Sequence, residues 1–236
     1  MWNRNLTHTR IKICEFETLD EIREISGMGA DAFGFHLFRH HADSNRILML
    51  SSLIEATPLE INRVLLSDLN VEDLIRIASI LRVNTIQLYT DYGYKDMRRL
   101  RSRVQGDLKV LKVMSAHEDE NVAPDRDFLN FYEDLVDGFL LDSYRRGGTG
   151  VPANWTHCAT IRNISVRPIF LAGGLTPENV GEAIAVTRPY GVDVETGVSD
   201  RLPNGHLRKN PDKCRRFIEA VRVADARQDH VAGSHS

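Results

Sequence analysis

No apolar run in the sequence approaches the roughly 20 residues that a bilayer-spanning helix needs, so a membrane protein is not expected. The first residues, MWNRNLTHTRIKIC, hold no apolar segment of the signal-peptide kind, and export is not expected either. Cysteine is scarce: Cys14, Cys158 and Cys214 stand far apart, with no CxxC pair. That spacing excludes a disulfide framework and a local zinc motif, so no metal is expected, and it suits a reducing, cytoplasmic setting. Neither sign of charge dominates. With 30 Lys and Arg against 33 Asp and Glu, the formal net charge of -3 gives no drive toward nucleic acid or an acidic membrane surface. Missing too is a glycine-rich phosphate turn behind the first apolar run, where the chain reads EFETLD.

What is present is a chain of 236 residues, 42% hydrophobic and 27% charged, long enough for one large domain. Short apolar runs recur along it: RIKIC (10–14), AFGFHLF (32–38), INRVLL (61–66), NTIQLY (84–89), LKVLKV (108–113), DGFLLD (137–142), RPIFLA (167–172) and YGVDVE (190–195). Their richness in Val, Ile, Leu and Phe, and their brevity, predict buried parallel strands. Segments of helical spacing separate them. Leu19, Ile22 and Ile25 share one face, as do Val71, Leu74, Ile75, Ala78 and Leu81. Thr176 before Pro177, and Asn210 before Pro211, read as helix starts. The intervals 39–60 and 114–136 are less regular, with a short helix expected in the first and one near FLNFYEDL in the second.

Eight strand–helix units predict an α/β chain folded as a (β/α)8 TIM barrel over residues 1–224. The rival, an open doubly wound sheet, calls for the glycine turn that the first strand lacks. The polar tail, 225–236, is expected to be disordered.

In such barrels the C-terminal strand ends meet on one face. Those ends carry Cys14, His36, Tyr89, Asp142, Gly173 with Gly174, and Glu195 with Thr196. Asp142 reads either as a general acid or as a carboxylate that caps its loop or pairs with a neighbouring arginine. Cys14 reads either as a buried hydrophobe or as a thiolate base. LAGGLTPENV and ETGVSD, after the seventh and eighth strands, place glycine turns where these barrels hold phosphate, although plain strand-to-helix turns also use glycine. His36, Arg39, His40 and His41 read as a solvated surface patch, or as contacts to a ligand.

The motifs KIC (12–14), GADAFGF (29–35), IQLY (86–89), LLDSYRRGGTG (140–150), LAGGLTPENV (171–180) and PYGVDVETGV (189–198) together resemble the phosphoribosylanthranilate isomerase family over nearly the whole chain. The resemblance implies an Amadori rearrangement of N-(5-phosphoribosyl)anthranilate to its 1-amino-1-deoxyribulose form in tryptophan biosynthesis, without cofactor or metal. It also implies that Cys14 is the general base and Asp142 the general acid. Arg46 then stands where the family's substrate-contacting arginine stands, and Gly147, Gly148 and Gly150 belong to a loop that closes over the ligand. Gly173, Gly174, Thr196 and Gly197 would hold the phosphate. The implied partner is a small phosphorylated sugar-amine, with the protein a monomer or homodimer.

The departures from the family pattern are local. KICG becomes KICE, the usual QLHG becomes QLYT, and the strand-eight turn carries Glu195. A carboxylate beside a phosphate costs on the order of a few kcal/mol unless it turns away or meets a cation. Glu15, His36, Tyr89, Arg145 and Glu195 are accordingly the candidate specificity residues. A basic insertion, RLPNGHLRKNPDK (201–213), follows. Two other readings stay open: a paralogue isomerising another amino-sugar phosphate, and a barrel that binds without catalysis.

Overall fold

Eight parallel strands close on themselves in the order β1 to β8, each neighbouring strand being the next in sequence. The computed structural model describes residues 8–103, 108–115, 123–142 and 154–233. The strands are β1 (Arg10–Ile13), β2 (Ala32–Leu37), β3 (Asn62–Ser67), β4 (Thr85–Leu88), β5 (Lys109–Ser115), β6 (Gly138–Asp142), β7 (Ile169–Leu171) and β8 (Gly191–Val194). β1 pairs with both β2 and β8, with Lys12 opposite Asp193, and this closes the barrel. Each strand lies within a residue or two of the apolar run that predicts it.

The helices α1 (Leu19–Ile25), α2 (Ser44–Ala56), α3 (Val71–Leu81), α4 (Tyr94–Arg103), α5 (Ala123–Tyr132), α6 (Trp155–Ile164), α7 (Val180–Thr187) and α8 (Pro211–Gly233) follow the strands in turn. Their starts are built from side chains that accept the first free N–H groups. Thr18 and Glu21 form a reciprocal capping box on α1, and Asp43, Asn70 and Asn154 cap α2, α3 and α6. The Thr176 hydroxyl accepts from Glu178 N–H as expected of a cap, but it closes a turn, and α7 proper begins at Val180.

Strand alternation divides the interior in two. Ile11, Ile13, Phe33, Phe35, Leu65, Ile86, Phe139 and Leu141 face the helices in one large apolar cluster. The alternate positions fill the barrel itself, with Leu111, Val113, Leu140, Phe170 and Ala172 in one group and Cys14, Ala32, Val64 and Leu66 in another. The barrel is therefore a plugged core with its chemistry at one mouth.

Three expectations change. The segment 39–60 holds a 13-residue helix, α2, whose Leu50, Leu53 and Ile54 are buried. The basic insertion folds into an antiparallel pair, β9 (Ser199–Arg201) and β10 (Leu207–Lys209). The last helix continues past Ala224 to Gly233, beyond the point where the tail was expected to fray. The reason is visible in the contacts: the Asp225 carboxylate accepts from Thr9 N–H and hydroxyl, and Gln228 donates to the Ile184 carbonyl. No helix among the described residues is long and apolar enough to cross a membrane.

Candidate active site

The mouth at the C-terminal strand ends holds a cavity of about 270 Å³ lined by Cys14, Tyr89, Asp142, Gly173, Gly174, Asp193, Glu195, Thr196 and Gly197, among others. Residues from β1, β4, β6, β7 and β8, remote in sequence, thus share one space. The inward face of each strand sets this up. Counting back by two from Cys14 gives Lys12, and from Glu195 gives Asp193, so all four point into the barrel.

Lys12 and Asp193 form a buried ion pair of 2.6 Å, with the lysine side chain fully enclosed. Burial alone would lower the Lys12 pKa, but the charges of Asp193 and Cys14 outweigh it and raise it. The Lys12 ammonium also reaches the Cys14 sulfur at 3.3 Å. This pair was not singled out from sequence, although strand alternation marks both residues as inward.

Cys14 is nearly fully buried, with 2% of its surface exposed. Its seat depends on Gly34, where an added Cβ would stand 2.6 Å from the sulfur. His36 Nε2 lies 3.3 Å from the same sulfur. His36 is therefore not part of a solvated patch: two residues beyond Gly34 it points inward, with 13% of its side chain exposed, and it stands behind the Cys14 sulfur without lining the cavity itself. The stacked pair His40 and His41, with ring centroids 4.4 Å apart, sits outside the cavity lining.

Two carboxylates surround the imidazole. Glu15 Oε1 is 3.5 Å from Nδ1, and Glu195 Oε2 is 3.5 Å from Nε2. Burial would lower the His36 pKa, but Cys14 and both carboxylates bring it up to about 10. Burial would raise the Glu15 carboxyl, yet its hydrogen bond and charge contact with His36, with Lys209 behind, bring it down to about 2. Glu195 is raised by burial and by the nearby carboxylates of Glu15 and Asp193, against the pull of His36 and Lys209. Glu195 thus meets a cation, the condition that relieves the repulsion expected from it. Tyr89 is pushed well above its ordinary range by burial and the surrounding anions. Its ring packs edge-on against Phe38.

Glu15 occupies the left-handed region at φ 64°, where the family motif has glycine. A side chain there costs about 1–2 kcal/mol, offset here by the contact with His36. The β9–β10 hairpin supplies the second cation. Its Lys209 is buried, with Nζ donating to Ser199 Oγ at 2.9 Å and N–H donating to Glu21 at 2.7 Å.

The glycine turns sit as expected. Gly173 and Gly174 have φ of 88° and 62°, open to glycine and strained for other residues. At Gly197 an added Cβ would fall 2.0 Å from the Leu175 carbonyl oxygen, so the two turns touch backbone to backbone. Both line the cavity beside Thr196.

Arg46 is not among the lining residues. Its guanidinium grips the Glu17 carboxylate at 2.6 and 2.8 Å, and donates to the His36 carbonyl at 3.1 and 2.9 Å. It ties the loop after β1 to the end of β2. Arg145, Gly147, Gly148 and Gly150 lie outside the described residues.

Residues 11–220 match the family model for N-(5'-phosphoribosyl)anthranilate isomerase. The chain is 31% identical over 219 residues to the enzyme of that name from Rubrobacter xylanophilus, covering 90% of this chain and 98% of the relative. A crystal structure of phosphoribosyl anthranilate isomerase from Thermotoga maritima superposes with a TM-score of 0.73 at 27% identity, covering 91% of this chain and 99% of that one. Another, of phosphoribosyl anthranilate isomerase in complex with reduced 1-(o-carboxyphenylamino)-1-deoxyribulose 5-phosphate, gives 0.72 at 26% identity over the same shares.

Proposed function

The chain belongs to the N-(5'-phosphoribosyl)anthranilate isomerase family, and from that premise we propose that Cys14 and Asp142 carry out the family's Amadori rearrangement as general base and general acid. The supporting observation is that β1 and β6 present these two groups to a single cavity, whose lining also holds the glycine turns after β7 and β8. The resemblance of the motifs around both residues to the family supports the same roles.

Asp142 gives a proton to the furanose ring oxygen, the C1–O bond breaks, and the nitrogen lone pair forms a C1=N iminium. Cys14 takes the proton from C2, and the bonding pair forms C1=C2 as the nitrogen becomes neutral. The resulting enolamine loses its C2 hydroxyl proton and gains one at C1, giving the ketone. Substrate and product are isomers, so no external oxidant or reductant takes part.

Around Cys14, Lys12 and His36 place two donors within 3.3 Å of the sulfur, so negative charge on it is compensated. Gly173, Gly174, Thr196 and Gly197 offer the phosphate backbone N–H groups and a hydroxyl. A phosphate-bearing product analogue bound by a solved relative supports a small phosphorylated sugar-amine as substrate.

Loss of the fluorescence of N-(5-phosphoribosyl)anthranilate on adding the purified protein tests this directly. Turnover is the expected result. A protein that is native by circular dichroism and shows no turnover contradicts the reading.

A further inference from the structure

His36 Nε2 is approached by two ligand-type atoms at once, the Cys14 sulfur at 3.3 Å and Glu195 Oε2 at 3.5 Å. A single N–H directs its proton at one acceptor, so this convergence exceeds what one hydrogen bond satisfies. A cation centred among the three atoms contacts all of them at once. The donor atoms of Cys14, His36 and Glu195 lie within 4.8 Å of one another. Tetrahedral zinc with ordinary bond lengths places sulfur and nitrogen roughly 3.5 Å apart and nitrogen and oxygen roughly 3.4 Å apart. The two measured separations sit close to those values.

The surroundings match a metal's outer shell. Glu15 stands 3.5 Å from the other ring nitrogen, Nδ1, the arrangement in which a carboxylate orients a ligating imidazole. Lys12, already neutralised by Asp193, donates to the sulfur at 3.3 Å, as outer donors do to a bound thiolate. On binding, the His36 imidazolium gives up its proton, and a thiolate, a carboxylate and a neutral imidazole then balance a dication. A sulfur, a nitrogen and a carboxylate oxygen select a zinc-class ion over magnesium or calcium. Cys14 and Glu195 line the cavity, which leaves a fourth position facing the ligand space. Cysteine spacing along the chain reveals no such set, because the ligands come from the ends of three adjacent strands.

We propose that Cys14, His36 and Glu195 form a coordination site for a zinc-class divalent cation, and that the cation holds the isomerase off by occupying the Cys14 sulfur. The second half rests on Cys14 being the base; the coordination half does not.

Cobalt(II) is the probe, titrated into the full chain after chelator treatment and without substrate. The expected result is a sulfur-to-cobalt charge-transfer band with tetrahedral ligand-field bands, saturating at one equivalent and abolished by added zinc. His36→Ala and Glu195→Ala each weaken binding by at least about tenfold, and Glu15→Gln weakens it by about 10–100-fold as an outer-shell change. Either ligand variant suffices should the other fail to fold by circular dichroism. Cobalt on His40 and His41 gives no sulfur band. Absence of the sulfur band in the native wild-type protein overturns the site, as does its survival in Cys14→Ser. Zinc inhibition reversed by chelator supports the switching half, and full activity of the zinc-loaded enzyme overturns it. A protein that shows the cobalt band when loaded, yet turns nothing over when metal-free, sinks the isomerase reading and leaves the site standing.

Discussion

The Cys14 sulfur and the His36 imidazole are in contact, 3.3 Å from Sγ to Nε2, although 22 positions separate them in the chain. The contact follows from adjacent parallel strands whose inward positions carry Cys14 on one side and Gly34 then His36 on the other. It makes the proposed base part of a charged cluster and not an isolated thiol.

Gly197 tests the seam between the two glycine turns. Its missing Cβ leaves room for the Leu175 carbonyl, which an alanine would meet at 2.0 Å. Gly197→Ala is expected to cost about 1–3 kcal/mol in a denaturant melt, as overpacking against fixed backbone does. It should also raise KM at least about tenfold, since a 1 Å shift of a binding turn is expensive. An unchanged KM removes this turn from the phosphate site.

Arg46 and Glu17 are expected to act on the loop after β1 and not on substrate. Arg46→Ala and Glu17→Ala should each lower stability by about 1.5–3 kcal/mol, the range for hydrogen bonds to charged groups. The double variant should fall short of their sum by about 0.5–2 kcal/mol, the coupling of direct contacts. Additive losses, or a KM effect from Arg46→Ala alone, return Arg46 to the ligand.

Lys112 predicts a pH dependence. Its side chain is fully enclosed between the barrel and the helices, 5.5 Å from the centroids of Phe128 and Tyr132. Asp91, itself partly exposed, lies 3.0 Å away, yet burial prevails and lowers the pKa to about 7. The folded state therefore releases this proton more readily than the unfolded chain, whose value is 10.5. The penalty is complete below about 7 and is relieved as pH rises toward the unfolded value. His36 has the opposite sign: its contribution is complete below the ordinary 6.5 and is lost as pH rises to about 10. The difference between wild type and Lys112→Met isolates the lysine. The variant should be more stable at neutral pH by on the order of a few kcal/mol, an advantage that shrinks steadily in alkali. A difference independent of pH contradicts the lowered value.

Lys12 and Asp193 should be strongly coupled. Lys12→Met leaves Asp193 buried without its cation, at a cost of about 3–5 kcal/mol, and adding Asp193→Leu should recover most of it. Calorimetric melts of the wild type, Lys12→Met and the double variant decide this. A double variant no better than Lys12→Met refutes the pairing.

Much of this was legible in the sequence, for a physical reason. Parallel strands buried on both faces write themselves as short apolar runs, and barrel closure brings their C-terminal ends together. Cys14, Asp142 and the turns at Gly173 and Gly197 could therefore be placed at one mouth from the chain alone. The cluster of Cys14, His36 and Glu195 could not, because neighbouring strands carry it and no local spacing records it. His36 beside Arg39, His40 and His41 read as part of a solvated run, whereas two-residue alternation past Gly34 turns it inward. The β9–β10 hairpin escaped because its strands are three residues each, and only burial shows Lys209 as a cation serving the site. Arg46 reads from the motif as a substrate contact, whereas its guanidinium engages Glu17, which comes from a different loop.

The roles of Cys14 and Asp142 are tested most directly by steady-state turnover of N-(5-phosphoribosyl)anthranilate by Cys14→Ala and Asp142→Asn, with the metal-free enzyme. Both should lose kcat by a factor on the order of 10²–10⁴, the usual worth of a positioned acid or base, while KM stays within a few-fold. A variant that keeps its kcat removes that residue from the chemistry and contradicts the acid–base pair.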